Sequence, residues 1–327
     1  MLTTYVHTAN GEVSQAPWKE GEGAQKDALW IDLLNPTPQE RSLVEGQYGV
    51  LLPSREEMHE IELSNRFYET NQACFLNATV LTGVETPNPE LHHLLFILSK
   101  DTLITLRHSD PAPLRRLIDR LLNKHVKPHG AADILLMSVE GIVGRIADTM
   151  EVIGKNTETL SQAIMQVLGG AQRPDATPTL SHVLSEVNRN EDMLSKTYQS
   201  LFSLQLLLDF LQQSEARKYA GKKLRDITVA EKDIRALLQH GEYLTQKMEF
   251  LLESTLGLIN IEQNNIIKMF TVLAMIFMPP TLIASVYGMN FHHMPELDWR
   301  LGYPLAIGLM VGAAWLPYRF FRRKGWI

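Results

Sequence analysis

The chain has 327 residues, room for one large or two modest domains, and is mildly acidic, with 31 Lys and Arg against 37 Asp and Glu. That balance excludes the basic excess of a nucleic-acid binder, so no nucleic-acid partner is expected. A single cysteine, Cys74, rules out an internal disulfide and suits a reducing cytosol.

The first two dozen residues lack a basic start followed by an apolar core and do not read as a signal peptide. Over 1–130, short β-like runs mix with helical ones. ALWIDLL (28–34), ACFLNATVLTG (73–83), LLFILS (94–99) and TLITLRH (102–108) predict strands, the last two joined as a hairpin. TPQERSLVEGQYG and SREEMHEIELSN predict helices, with Thr37 and Ser54 as N-caps, each followed by Glu near the third helical position. The predicted unit is an α/β domain. Cys74 reads as a small buried hydrophobe. His92 and His93 read as surface residues beside a strand.

The segment 131–267 is helical and reads as a long stalk. ADILLMSVEGIVGRIADTMEVIGKNTETLSQAIMQVL predicts one helix, broken by the Gly- and Pro-containing stretch 169–180. A second helix covers SHVLSEVNRNEDMLSKTYQSLFSLQLLLDFLQQ, and a break over 220–223 leads into a third. There Ile234, Leu237, Leu238, Leu244, Met248, Leu251 and Leu252 follow three- and four-residue spacing. No breaker separates this stripe from Met269. A continuous helix over 228–287 is about 90 Å long at 1.5 Å per residue. Such a helix cannot bury its stripe alone and is expected to need neighbouring helices, from other subunits.

From Met269 to Phe291 the sequence carries no charged residue and no histidine, and a second uncharged run spans 301–318 and extends towards Phe321. The first is long enough to span a hydrocarbon core about 30 Å thick, and the second is near the lower length limit. Trp299, Tyr303, Tyr318, Phe320 and Trp326 flank the second run as an interfacial belt does. These are two candidate transmembrane helices, 268–288 and 301–321, joined by an external loop over 289–300 and followed by a basic cytosolic tail over 322–327. Lys268 precedes the first span, and Arg319, Arg322, Arg323 and Lys324 follow the second, while the loop offsets Arg300 with Glu296 and Asp298. The positive-inside rule therefore puts both termini in the cytosol and the loop outside. Pro279 and Pro280 remove backbone donors midway along the first span, which membranes tolerate where protein or a water-filled path satisfies the carbonyls. Gly308 and Gly312 form a GxxxG that permits close helix approach.

Catalytic signatures are missing: there is no GxxxxGK[ST], no paired zinc-ligand spacing and no EF-hand loop. His59-Glu60-Ile61-Glu62-Leu63 opens like HExxH, but Leu63 takes the place of the second histidine. The chain is not read as an enzyme, and no cofactor is expected. Without a nucleotide site, transport would run downhill, helped by about 2.3 kcal/mol per charge per 100 mV.

Tyr287-Gly288-Met289-Asn290, then Met294-Pro295-Glu296 and the closing Arg-Arg-Lys-Gly-Trp-Ile, resemble the CorA family of magnesium channels. Asn264, Lys268 and Phe277-Met278-Pro279-Pro280-Thr281 are similar to the family's pore helix. Trp30-Ile31-Asp32-Leu33 with Pro36 and Glu40 is similar to its cytosolic domain. The resemblance implies an α+β cytosolic domain of α/β-sandwich type, a long helical stalk and two C-terminal transmembrane helices, assembled as a funnel-shaped homopentamer in the bacterial inner membrane. It implies a selectivity filter at Gly288, Met289 and Asn290, with Asn264, Ile267, Phe270, Met278 and Thr281 lining the pore. Partners are membrane lipid and divalent metal ions, with Mg2+ both transported and regulatory.

Elementary chemistry fits those expectations. Mg2+ dehydrates reluctantly, so a ring of neutral Asn290 and Gly288 oxygens can hold its water shell without stripping it. Met294, Pro295, Glu296 and Asp298 make up the external loop, where the two carboxylates concentrate cations. Met278 and Phe270 suit a gate that closes by dewetting. Asp226, Glu231 and Asp233 on the stalk, with Glu85 and Glu90 opposite, are candidate ligands for a regulatory metal. Cobalt and nickel are further candidate cargo. Two alternatives stand: a ZntB-type zinc transporter, for which His292 and His293 speak, and a membrane-tethered helical scaffold without transport.

Overall fold

The computed structural model describes residues 1–8, 12–17, 28–60, 62–86, 88–168, 180–213, 224–289, 294–295 and 299–326. Two compact units emerge, one over 1–167 and 172–251, the other over 168–171 and 252–327. The expected break at 220–223 lies outside the described residues.

The first unit is built on seven strands: β1 (Leu2–His7), β2 (Val13–Pro17), β3 (Ala28–Leu34), β4 (Phe67–Glu69), β5 (Cys74–Thr82), β6 (Glu90–Leu98) and β7 (Leu103–Arg107). They form one sheet in the order β2-β1-β3-β7-β6-β5-β4. Only the β3–β7 pair is parallel. β3 and β7 sit at its centre and are buried on both faces, which is why both read as mainly apolar runs, interrupted by Asp32, Thr105 and Arg107, rather than as alternating ones. Residues alternate between two cores. Ile31, Leu33, Phe75, Leu95, Ile97, Ile104 and Leu106 face α1 (Pro38–Tyr48) through Val44. Trp30, Leu76, Phe96 and Leu103 lie buried on the opposite face. Cys74 is wholly buried at the start of β5, and burial, then the Glu69 charge, pushes its thiol up to about 12.

That opposite face carries a charge network. Arg107 donates from Nη2 to Asp32 Oδ2 at 2.8 Å and from Nε to Oδ1 at 3.0 Å. Thr105 donates to Asp32 Oδ1 at 2.7 Å and accepts from Trp30 Nε1 at 3.0 Å. Arg107 Nη1 also reaches Asp110 Oδ1 at 2.5 Å. Both ion-pair side chains are about 95 % shielded, with exposures of 4 % and 5 %. Burial, then the Asp32 charge, raises the Tyr5 hydroxyl well above its ordinary value.

α1 forms as its sequence predicts. Thr37 and Glu40 complete a capping box, Pro38 opens the helix, and Gly49 closes it at φ 66°, a left-handed value that glycine adopts without strain. Leu2 N–H and the Met1 ammonium also bond the Glu40 carboxylate, at 2.8 and 3.0 Å. Burial alone would raise that carboxyl, but the hydrogen bonds from Thr37, Met1 and Leu2 hold it below the usual carboxylate value.

The second predicted helix, SREEMHEIELSN, does not form as one piece. A 3-10 turn at Glu57–His59 is followed by the short α2 (Leu63–Arg66). The Ser54–Glu57 cap bonds do form, at 2.6 and 3.2 Å. Met58, however, is buried in the sheet core and its carbonyl accepts from Asn77 Nδ2 at 2.7 Å. That carbonyl is thereby drawn to the sheet, and Glu60 turns extended at ψ 141°. Tertiary anchoring outweighs the local helix signal. His93 also differs from expectation: it lies within β6, half-buried, with its ring 4.5 Å from that of His59. Burial first, then His59 and Arg66, pushes it down to about 4, so it is neutral at neutral pH.

Helices α3 (Ala112–Leu122), α4 (Ala131–Leu168) and α5 (Leu180–Gln213) complete the unit with the first part of α6 (Leu224–Tyr287). α5 closes an open sheet edge. β4 pairs with β5 only as far as Leu76, so the outward backbone groups of Thr79 have no ladder partner. Ser203 Oγ accepts from Thr79 N–H at 2.8 Å and from Arg66 Nη2 at 2.7 Å, and Ser200 Oγ donates to Thr79 C=O at 3.0 Å. Ser203→Ala strands the Thr79 N–H in a site only 2 % exposed, while Arg66 Nη2 keeps Asn77 C=O and Thr79 Oγ1, and is expected to cost about 1–3 kcal/mol in a chemical-denaturation measurement.

Part of the stripe on α6 finds its neighbours within the chain, while Leu237, Leu238 and Leu252 stay half-buried. Ile234, Leu244, Met248 and Leu251 are buried, and Leu244 meets Gly154 of α4 at 3.6 Å from an ideal Cβ. A Cβ on Gly241 would lie 2.9 Å from the Tyr198 ring and 3.1 Å from Met150, so glycine there lets α6 approach both α4 and α5. Tyr198 Oη donates to Leu238 C=O at 3.1 Å, and Lys247 bonds Glu158.

The second unit holds the rest of α6 and α7 (Gly302–Arg323). α6 runs unbroken through Pro279 and Pro280. Among the described residues, two helices are long and apolar enough to cross a membrane, α6 and α7. A Cβ on Gly308 or Gly312 would meet nothing within 4 Å, so among the described residues the GxxxG makes no close approach.

Candidate ion-conducting site

Along α6, every residue from Ile261 to Phe270 is exposed. The five candidate pore residues, Asn264, Ile267, Phe270, Met278 and Thr281, are all exposed, with Ile267 at 61 %, Phe270 at 62 % and Met278 at 68 %. At about 100° per residue they fall within about 120° of arc. The other side of the same helix is the covered one. Val272 is buried, and Ile276, Pro279, Ile283 and Tyr287 are half-buried at helical spacing. From Val272 to Tyr287 the chain thus shields one side of its first apolar span and leaves the side of Met278 and Thr281 open, while the stretch with Asn264, Ile267 and Phe270 is exposed all round.

Thr281 Oγ1 donates to Phe277 C=O at 2.7 Å, one turn back, beside the carbonyls that the two prolines leave without donors. The helix stops at Tyr287. Gly288 N–H donates to Ala284 C=O at 3.0 Å and Met289 N–H to Val286 C=O at 3.3 Å. A Cβ on Gly288 would sit 3.1 Å from the Ala284 oxygen, so a side chain there crowds the helix end. Gly288 and Met289 are exposed at that end, Met294 is half-buried and Pro295 exposed. Asn290, Glu296 and Asp298, with His292 and His293, lie outside the described residues.

The five regulatory candidates do not converge on one centre within the chain. Glu85 is paired with Arg145 at 2.8 Å, which neutralises it, and Glu90 meets His92 at 3.4 Å. On α6, Asp226 stands in the first turn, where the helix dipole favours a carboxylate. Burial, then the Asp209 carboxylate of α5, pushes the Glu231 carboxyl above the usual range. Asp233 borders a groove of about 370 Å³ between α4 and α6, with Glu140 on its other wall. Among the described residues, no three His, Cys, Asp or Glu side chains are grouped to hold a metal.

An α/β domain whose last helix runs on into an apolar span, followed by a second such span, defines a class of membrane-associated protein with most of its mass outside the apolar part. Within that class the comparisons are specific. Residues 25–323 match the family described as CorA-like Mg2+ transporter protein, and the chain belongs to that family. The magnesium transport protein CorA of Mannheimia succiniciproducens is 36 % identical over 300 residues, 92 % of each chain. The complete structure of the CorA magnesium transporter from Methanocaldococcus jannaschii superposes with a TM-score of 0.78 at 19 % identity, covering 100 % of this chain and 99 % of that one. The ZntB cytoplasmic domain from Vibrio parahaemolyticus gives 0.59 at 14 % identity, over 79 % of this chain and 97 % of that one. The two structural likenesses speak for the fold alone, and the expected fold class is the one found.

Proposed function

We propose that the chain is the subunit of a homopentameric channel of the bacterial cytoplasmic membrane that carries Mg2+ inward down the electrical potential, with both termini in the cytosol. One observation carries this reading: Met278 and Thr281 lie on the side of the first apolar span that the chain leaves uncovered, and Asn264, Ile267 and Phe270, also exposed, continue the same arc towards the stalk. Copies arranged around an axis would turn that arc inward. Polar rings at Asn264 and Thr281 then alternate with apolar rings at Ile267, Phe270 and Met278, the latter suited to closure by dewetting. Gly288, Met289 and Asn290 at the outer end hold the hydrated ion, and Glu296 and Asp298 gather cations above them. Cytosolic Mg2+ gates the channel through stalk carboxylates, for which Asp226, Glu231 and Asp233 remain the candidates. Co2+ and Ni2+ are further cargo.

The curated relatives named as magnesium transport proteins support magnesium over zinc, as does the intact Gly-Met-Asn. The direct test is ion entry into proteoliposomes under an inside-negative potential. Mg2+ entry without Zn2+ entry is the expected outcome. Zn2+ entry alone would transfer the assignment to the zinc branch, and no entry of either from assembled protein would leave a scaffold.

A further inference from the structure

α7 ends in a reversal that brings the chain back against α6. Lys324 N–H donates to the Phe320 and Phe321 carbonyls, Gly325 turns left-handed at φ 68°, and Trp326 N–H donates to Phe321 C=O at 3.1 Å. The Trp326 ring stacks on Phe321 at 5.4 Å, and Lys268 Nζ lies 6.0 Å from the same ring. This contact sets the start of the first apolar run and the end of the second at one level. Five cations gather about that level in the sequence: Lys268, Arg319, Arg322, Arg323 and Lys324. Neither 263–289 nor 299–326 contains an Asp or Glu. The cations lean on rings instead, Arg319 over Trp315 at 5.3 Å and Lys324 over Phe320 at 5.5 Å. A cation on a ring face keeps its N–H donors directed outward for an anion.

We propose that this cluster binds the phosphate of an anionic phospholipid headgroup in the inner leaflet, a reading that rests on the membrane assignment above. The neighbouring surface favours a lipid over free phosphate. Leu316 and Phe320, 64 % and 55 % exposed and one turn apart, form an apolar strip leading away from Lys324 along α7, where acyl chains can lie. Trp315, Tyr318 and Trp326 supply aromatic rings suited to headgroup depth. Anionic lipid attracts each nearby Lys or Arg strongly enough to change binding about fivefold.

The test uses the full chain in vesicles with brominated acyl chains, reading Trp326 emission as the difference from Trp326→Phe. Brominated phosphatidylglycerol is expected to quench at a lower mole fraction than brominated phosphatidylcholine. Lys268→Gln and Arg323→Gln are each expected to weaken that preference about fivefold, while Arg145→Gln, outside the cluster, leaves it intact. Inorganic phosphate added to the vesicles with brominated phosphatidylglycerol should not relieve the quenching. Equal quenching by the two lipids overturns the proposal, as does a preference unchanged in both variants, which would mean that carboxylates of a second copy neutralise the cluster. Displacement by phosphate would reassign the site to the free anion. Quenching by neither lipid would instead overturn the membrane assignment itself.

Discussion

Asn290→Ala is expected to reduce Mg2+ entry into proteoliposomes by an order of magnitude or more, with the assembled protein still present in the vesicle. In the proposed channel the ion would reach the mouth with its water shell, which Mg2+ gives up reluctantly. A carboxamide oxygen accepts hydrogen bonds from the shell, and a ring of them offers several at once without the tight hold of a carboxylate. Alanine removes the acceptor and leaves only backbone carbonyls. Loss of one good charge-assisted bond costs about 1.5–3 kcal/mol, and each 1.4 kcal/mol is a factor of ten. Asn290→Asp is the informative companion: it restores acceptors but adds charge, so entry should show slower release of the ion. Unchanged entry in Asn290→Ala would remove the Gly-Met-Asn segment from the selectivity site and throw weight on Asn264.

The second large effect lies in the α/β domain. Asp32→Ala leaves the Arg107 guanidinium buried at 4 % exposure without its main partner. Breaking a buried pair in this way costs about 3–5 kcal/mol. The remaining bond to Asp110, which is 37 % exposed, argues for the lower end of that range. Thermal unfolding followed by circular dichroism should show a clear fall in midpoint. Asp32→Leu combined with Arg107→Met removes both charges and should recover much of the loss, because the desolvation cost disappears with the pair. A double variant no better than the single one would show that the pair contributes more than it costs to bury.

The arginine that Asp32 needs stands 75 residues away in the chain, and nothing in the sequence near either residue announces the other. Asp32 is legible as part of a Trp-Ile-Asp-Leu signature, but its role depends on the parallel register of β3 and β7. The long helices are legible because their apolar spacing persists for dozens of residues without a breaker, and the central strands because they are mainly apolar runs with few interruptions. β2 and β4 are short edge strands of mixed character, and β1 interleaves threonines with its apolar residues, so none of the three stands out. The 54–65 segment misleads for another reason: its cap is genuine, but Met58 and Asn77 hold it to the sheet. The candidate pore residues are legible through family resemblance and their spacing places them on one arc, but the sequence could not show that from Val272 on the chain covers the opposite side of α6.

The state of Cys74 has a practical side. The thiol is wholly buried and its pKa is raised to about 12, first by burial and then by Glu69, so almost none of it is thiolate at neutral pH. The wild-type sequence is therefore already a silent background for maleimide labelling. A cysteine placed on the exposed face at Ile267 or Met278 would be the reactive thiol, and spin-label or crosslinking distances between copies could be collected without first stripping the native residue.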